Sequence, residues 1–432
     1  MLLESARVVS AQRSQFTGTD KQLMALLFVI PVWLIWIYVD WGELLVGPSL
    51  ALIFVAIIGV LLVGKVARSI AEPRLMFLGW IYLIQLTGLI YLVLYHWGPY
   101  LEYTSGTWGY DPQRYYDAAI RLVENSFQAD AGQSLSNVGI VYYYAIVMYL
   151  FGENPLSPAL INGLLNLTSC LLLLTVAIKI NLDSRVPLIL MAVLLLMPET
   201  LWYTVMTSRE PLVIPSLIIS VLGIGAFLTG YMRSTISKWW LVAVVPALLL
   251  LGAIRPIMLI TGISSIGLIA LVVAPPNKRW GATFLLLILL MPLALSIPSV
   301  TKQLASSTFA YTSYLARSVG NYGELSHVWT ESSMGRLLIP NNFLESLLYI
   351  PVRGLVHLIA PLPNLSVDWN RLLLLQALAH LSSAMVYVVL IPRSLAGLLF
   401  AVWNRACRSD LLFHIPLWMT LVAVAWGQPY IH

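Results

Sequence analysis

Charge is what this chain most lacks. Asp, Glu, Lys and Arg together supply 10% of its 432 residues, whereas a soluble protein carries roughly 25%. A water-facing globular domain of this length is therefore excluded. Cysteine is nearly absent: Cys170 sits inside an apolar run and Cys407 in a basic loop, which gives neither a disulfide framework nor a thiolate metal site. Phosphate-cradling glycine loops, the HExxH pattern and the Gly-x-Ser-x-Gly elbow are missing, so ATP-driven transport and proteolysis are disfavoured. Period-2 alternation is missing too, and with it a transmembrane barrel. No nucleic-acid motif occurs. The net charge of +5 is better assigned to residues anchoring the chain at a membrane face.

What is present is apolar. Hydrophobic residues make up 59% of the chain, and the mean hydropathy is +0.85. Hydrocarbon tolerates only helices or closed barrels, because every backbone polar group must be paired internally. The expected fold is all-α, a single polytopic transmembrane domain over residues 1–432. Apolar windows of about 20 residues lie near 23–39, 44–63, 75–95, 159–180, 186–198, 211–231, 239–254, 257–274, 281–297, 372–391 and 411–426. Two further segments, 138–151 and 346–361, are short or broken and read as re-entrant or interfacial. The total is about 11–13 membrane segments. No small-residue cleavage site follows the polar start 1–22, so the first span is expected to remain as an anchor within an N-terminal hairpin, 23–74.

Basic residues sort the loops. Lys65, Arg68, Arg74, Lys179, Arg185, Arg233, Lys238, Lys278, Arg279, Arg393, Arg405 and Arg408 fall on one side with the N-terminus, the cytoplasmic side. Loops 96–137 and 298–345 then share the opposite face with 199–210 and the Arg255-Pro256 turn.

On that face lie the residues able to carry chemistry. Trp108-Gly109-Tyr110-Asp111-Pro112 opens an amphipathic stretch to Gln128, with Tyr116, Ala119, Ile120, Val123 and Phe127 on one side and Arg114, Asp117, Arg121, Glu124 and Asn125 on the other. Such a helix lies in the headgroup plane. Asp111 before Pro112 fits an N-cap, or a catalyst whose second oxygen faces a cavity. Asp117 and Arg121 have the spacing of an i,i+4 ion pair. A second group, Glu199, Trp202, Arg209 and Glu210, places two carboxylates and an arginine at a membrane boundary. They form an interfacial cluster with Glu210-Pro211 starting a helix, or Arg209 grips a phosphate with its bidentate fork. Arg255 either snorkels to the interface or joins Arg209 on a phosphate. The loop 298–345 is too long for a mere connector and is a candidate lid or acceptor platform. His327, Arg353 and His357 lie in or after it, and the histidines lack zinc-ligand spacing.

The order of these pieces resembles a known group. Gly109-Tyr110-Asp111 leads into Tyr115-Tyr116-Asp117-Ala118-Ala119, followed by Asn137 to Tyr144, Leu150-Phe151-Gly152-Glu153-Asn154, Leu160-Ile161-Asn162, Met197-Pro198, Ser208-Arg209-Glu210, Ile254-Arg255-Pro256 and Pro361-Leu362-Pro363. Over residues 75–365 this is similar to bacterial polytopic membrane glycosyltransferases of the C-type superfamily. That family's acidic loop usually follows the first span, whereas here two spans, 23–39 and 44–63, come before the one that leads into it. The resemblance implies a catalytic carboxylate at Asp111. It also implies a polyprenyl-phosphate-linked sugar donor, with Arg209 and Arg255 on the lipid phosphate and a role in cell-surface polysaccharide assembly at the bacterial inner membrane. Substrate contacts are then expected from Glu199, Glu210, Arg114, Trp108, Tyr110, Trp202 and Arg353, with a sugar stacked on Trp108, Tyr110 or Trp202. The partners are the donor, a glycan or lipid acceptor and membrane lipids. A divalent cation, Mg or Mn, is an open requirement, since no ligand set is evident. Two other readings use the same parts: a lipid-linked repeat-unit polymerase, and a non-enzymatic lipid-linked glycan transporter or flippase.

Overall fold

A computed structural model describes residues 2–97, 110–128, 138–180, 185–205, 209–229, 235–273, 371–404 and 409–427. All regular structure among them is helical: α1 Leu2–Leu45, α2 Ser49–Ser69, α3 Met76–Trp97, α4 Tyr110–Glu124, α5 Val138–Phe151, α6 Leu156–Lys179, α7 Arg185–Leu196, α8 Pro198–Val205, α9 Glu210–Thr229, α10 Thr235–Ile254, α11 Pro256–Val272, α12 Arg371–Trp403 and α13 Leu411–Gly427. Among the described residues, five stretches are long and apolar enough to cross a membrane: Gly18–Glu43, Ser49–Ser69, Pro73–Val93, Leu156–Lys179 and Glu210–Leu228. A sixth arises if α7 and α8, bent by 48°, count as one. On α1, Leu26, Ile30 and Ile37 are buried while Phe28, Ile35 and Val39 are exposed. An apolar outside around an apolar core is the pattern of a lipid-facing helix.

The helices divide into two compact units, Met1–Ile219 with Ser234–Trp240, and Ser220–Arg233 with Leu241–His432. In the first, α1, α2, α3 and α6 share a core that includes Leu26, Leu52, Val55, Leu86 and Leu160. Hydrogen bonds tie α3 to its neighbours: Trp33 Nε1 of α1 donates to Thr87 Oγ1 at 2.9 Å, and the Tyr82 hydroxyl to the Val55 carbonyl of α2 at 3.1 Å. One end of this unit carries the exposed Arg68–Asp20 pair at 3.7 Å. At the other end, the α5–α6 turn rests on the α1–α2 turn. Gly152 there has φ 94°, and a Cβ on it would stand 3.4 Å from the Gly47 Cα and carbonyl oxygen. In the second unit, α11 and α12 both pack on α13, and Gly225 of α9 meets Leu412 and Ile269.

Several boundaries differ from the sequence expectation. The polar residues 2–22 run without a break into the 44-residue α1, about 66 Å long at 1.5 Å per residue. The second span begins at Ser49 rather than residue 44, because Val46-Gly47-Pro48 forms the turn. Arg393, expected in a loop, lies inside α12 one residue after Pro392. Segment 138–151 is a helix of 14 residues, about 21 Å long and short of the roughly 30 Å hydrocarbon core. Segments 281–297, 298–345 and 346–361 lie outside the described residues.

Candidate functional site

The site is built around α4, whose amphipathic pattern the sequence anticipates. Tyr115, Tyr116, Ala118, Ala119 and Leu122 are buried, while Asp117, Arg121 and Glu124 are exposed. Ile120 and Val123 are only half-buried, so the inward stripe is turned slightly from the expected one. The helix starts at Tyr110. Asp111 therefore falls in the first turn rather than at the cap, and a carboxylate there is still favoured by the helix dipole. Asp117 and Arg121 form no ion pair with each other, contrary to the spacing argument; both point to the exposed side.

A left-handed turn fastens the end of α4 to α5. The Phe127 amide donates to the Leu122 carbonyl at 2.8 Å and the Ser126 amide to the Val123 carbonyl at 3.0 Å, the paired bonds of a Schellman end. Ser126 and Phe127 adopt φ 51° and 64°, which costs a non-glycine residue about 1–2 kcal/mol. Packing offsets this. The Phe127 ring lies 6.5 Å from Tyr142 and meets Tyr149 edge-on at 5.6 Å, and its carbonyl accepts the Tyr142 hydroxyl at 3.4 Å.

The start of α9 meets this hairpin. The Arg209 carbonyl accepts the Leu212 and Val213 amides at 3.1 and 3.0 Å, so Arg209 caps α9 and Glu210 occupies its first turn, as Glu210-Pro211 predicts. The Arg209 guanidinium carbon stands over the Tyr115 ring, 5.5 Å from its centroid. Contacts of this kind contribute about 0.5–1 kcal/mol, more when desolvated. Tyr144 of α5, fully buried, lies within electrostatic reach of both Glu210 and Tyr115. Burial pushes the Tyr116 hydroxyl up to about 12, with Asp117 and Glu153 adding repulsion to its ionised form. A phenol held neutral in this way keeps its proton as a donor.

Beneath these groups runs a polar network inside apolar helices. Tyr143 donates its hydroxyl to Asn162 Oδ1 at 3.0 Å, and Asn162 Nδ2 donates to the Thr204 carbonyl at 3.2 Å. Asn166 Nδ2 donates to Thr204 Oγ1 at 2.6 Å, and that hydroxyl donates to the Thr200 carbonyl at 2.5 Å. The two asparagines, one turn apart on α6, thereby hold the end of α8 from the side.

No family model, curated protein or solved structure matches this chain.

The sequence-derived candidates are distributed as follows. Arg209 meets α4 through Tyr115, and Glu210 follows it in the first turn of α9. Glu199 is half-buried in the first turn of α8. Trp202 is 4% exposed, its ring packed in the interior. Arg255, half-buried, is the N-cap of α11 in the second unit, with Pro256 at the first helical position. Trp108 and Arg353 lie outside the described residues. The α4 side chains are described from Tyr115 onward, so Tyr110, Asp111 and Arg114 are placed by helical position. Among the described residues no three His, Cys, Asp or Glu side chains gather as a metal site. The Asn162–Thr204 network escaped the sequence argument. Its signal was two asparagines at four-residue spacing in an apolar span, the second of which reads as a meaningless glycosylation sequon.

Proposed function

We propose that this chain is an integral-membrane glycosyltransferase that moves a sugar from a polyprenyl-phosphate donor to a glycan or lipid acceptor. In this reading it works on the non-cytoplasmic face of a bacterial inner membrane, with a cytoplasmic N-terminus and about 11–13 membrane segments over the whole chain. The observation that carries the reading is Arg209 over Tyr115. Residues four apart share a helix face, so Asp111 stands one turn, about 6 Å, before the ring on which the cation rests. A carboxylate position and a guanidinium, 98 residues apart in sequence, are thus brought to one helix.

The chemistry needs those two groups. Asp111 takes the proton of the acceptor hydroxyl, whose oxygen attacks the anomeric carbon. The bond from that carbon to the phosphate oxygen breaks, and the phosphate leaves with the electron pair. Arg209 stabilises the charge gathering on it by charge-assisted hydrogen bonds. The polyprenyl tail stays in the lipid around the apolar outside of the helices.

The test is genetic and chemical. Cells deleted for the gene are analysed by mass spectrometry for accumulated lipid-linked intermediates, with wild-type, Asp111→Asn and Arg209→Lys chains returned. Accumulation of a sugar monophosphate lipid, cleared by wild type and by neither variant, supports the transferase. Accumulated diphosphate-linked repeat units would instead identify a polymerase, and clearance by Asp111→Asn would remove that residue from catalysis.

A further inference from the structure

Asn162 makes two hydrogen bonds of opposite sense at once: it accepts from the Tyr143 hydroxyl and donates to the Thr204 carbonyl. It is fully buried. Thr204 is the penultimate residue of α8, and the last four carbonyls of a helix have no partner within it. Asn162 supplies that partner from α6. The chain leaving this clamp reaches Arg209 five residues later, and Arg209 seats over Tyr115. On the other side of Asn162, Tyr143 meets Tyr144 edge-on, a buried ring of α5, the helix against which α4 packs. One amide therefore ties α5, against which α4 packs, to the end of α8, and Arg209 follows five residues on in sequence.

We propose that Asn162 is the positioning residue of the site, holding Arg209 in register with α4 without touching substrate itself; this rests on the reading of Arg209 as the partner of the lipid phosphate. Leucine at this position fills the space but leaves both the Tyr143 hydroxyl and the Thr204 carbonyl unpaired. Aspartate makes a sharper probe. Protonated, its carboxyl accepts from Tyr143 and donates O–H to Thr204, reproducing the amide. Ionised, it cannot donate and repels the carbonyl. A buried carboxyl resists ionisation, so the native pattern persists at low pH and fails as pH rises.

The experiment measures binding of a long-chain polyprenyl monophosphate to the full chain in nanodiscs, across pH, always as a ratio to wild type at the same pH. Asn162→Leu is expected to weaken binding about tenfold, equivalent to about 1.4 kcal/mol, and Tyr143→Phe to weaken it less. Asn162→Asp should bind like wild type at acid pH and progressively worse toward alkaline pH. Because that comparison uses a single folded variant at different pH values, it survives poor folding of Asn162→Leu. A flat, wild-type ratio for Asn162→Asp at every pH would overturn the positioning role, provided Arg209→Lys weakens binding. Undiminished binding by Arg209→Lys would overturn the reading of the site itself, and the role of Asn162 with it.

Discussion

Replacing Gly59 by alanine would put a Cβ onto Cε1 of Tyr82 and 2.8 Å from its Cδ1 and Cζ. The ring has little room to yield. It is fully buried between α2 and α3, and its hydroxyl is tied to the Val55 carbonyl at 3.1 Å. Overpacking of this kind costs about 1–3 kcal/mol. If the ring tilts away, the lost hydrogen bond adds about 0.5–1.5 kcal/mol. Against this stands a gain of about 1 kcal/mol for alanine over glycine inside a helix. With that hydrogen bond lost, the net expectation is a destabilisation of roughly 0.5–3.5 kcal/mol. Unfolding of the purified chain in mixed micelles, followed by circular dichroism against denaturing detergent, reads it directly. A double-mutant cycle with Tyr82→Leu should show the two costs to be less than additive, because the smaller side chain makes room for the methyl. Stability of Gly59→Ala at or above wild type, with strict additivity, would mean that α2 and α3 do not meet through this glycine.

Other expectations follow from the same geometry. Ser126→Gly relieves a left-handed φ and should stabilise the end of α4 by about 1 kcal/mol; hydrogen exchange in α4 would slow, and unchanged or faster exchange would count against the turn. Tyr115→Leu removes the face under Arg209 and should loosen polyprenyl-phosphate binding several-fold while leaving the buried volume nearly filled, an outcome that equal binding would contradict. Tyr116 retains its proton further than an exposed phenol, whose ordinary value is 10.0. Its contribution to stability is therefore complete below pH 10, and it declines as pH rises through about 12. Phenolate absorbance compared between wild type and Tyr116→Phe should show one tyrosine titrating late; ionisation at the ordinary value would refute its burial.

The helical, lipid-facing character was legible because it rests on composition and window length, which are local. The start of α9 at Glu210, the break at Arg255-Pro256 and the amphipathic α4 were legible for the same reason: proline and periodicity act within a few residues. The contact of Arg209 with Tyr115 was not, since the two are 94 residues apart and only tertiary packing joins them. Asn162 was hidden differently. A polar side chain inside a span gives no hint of its partner, and Thr204 lies on another helix. Local signals also misled in places. Pro392 and Arg393 suggested a helix end, yet the helix runs on to Trp403. The burial of Trp202 was not legible either, since it comes from the packing of α8 against α3 and α6.

The most direct measurement is release of polyprenyl phosphate from a sugar-loaded polyprenyl-phosphate donor by the purified full chain in nanodiscs, with acceptor extract supplied. Wild type is expected to release it, Asp111→Asn to release almost none while binding the donor normally, and Arg209→Lys to bind the donor weakly. Equal release by Asp111→Asn and wild type would contradict the assignment of the catalytic carboxylate, and with it the glycosyl-transfer mechanism proposed for this face.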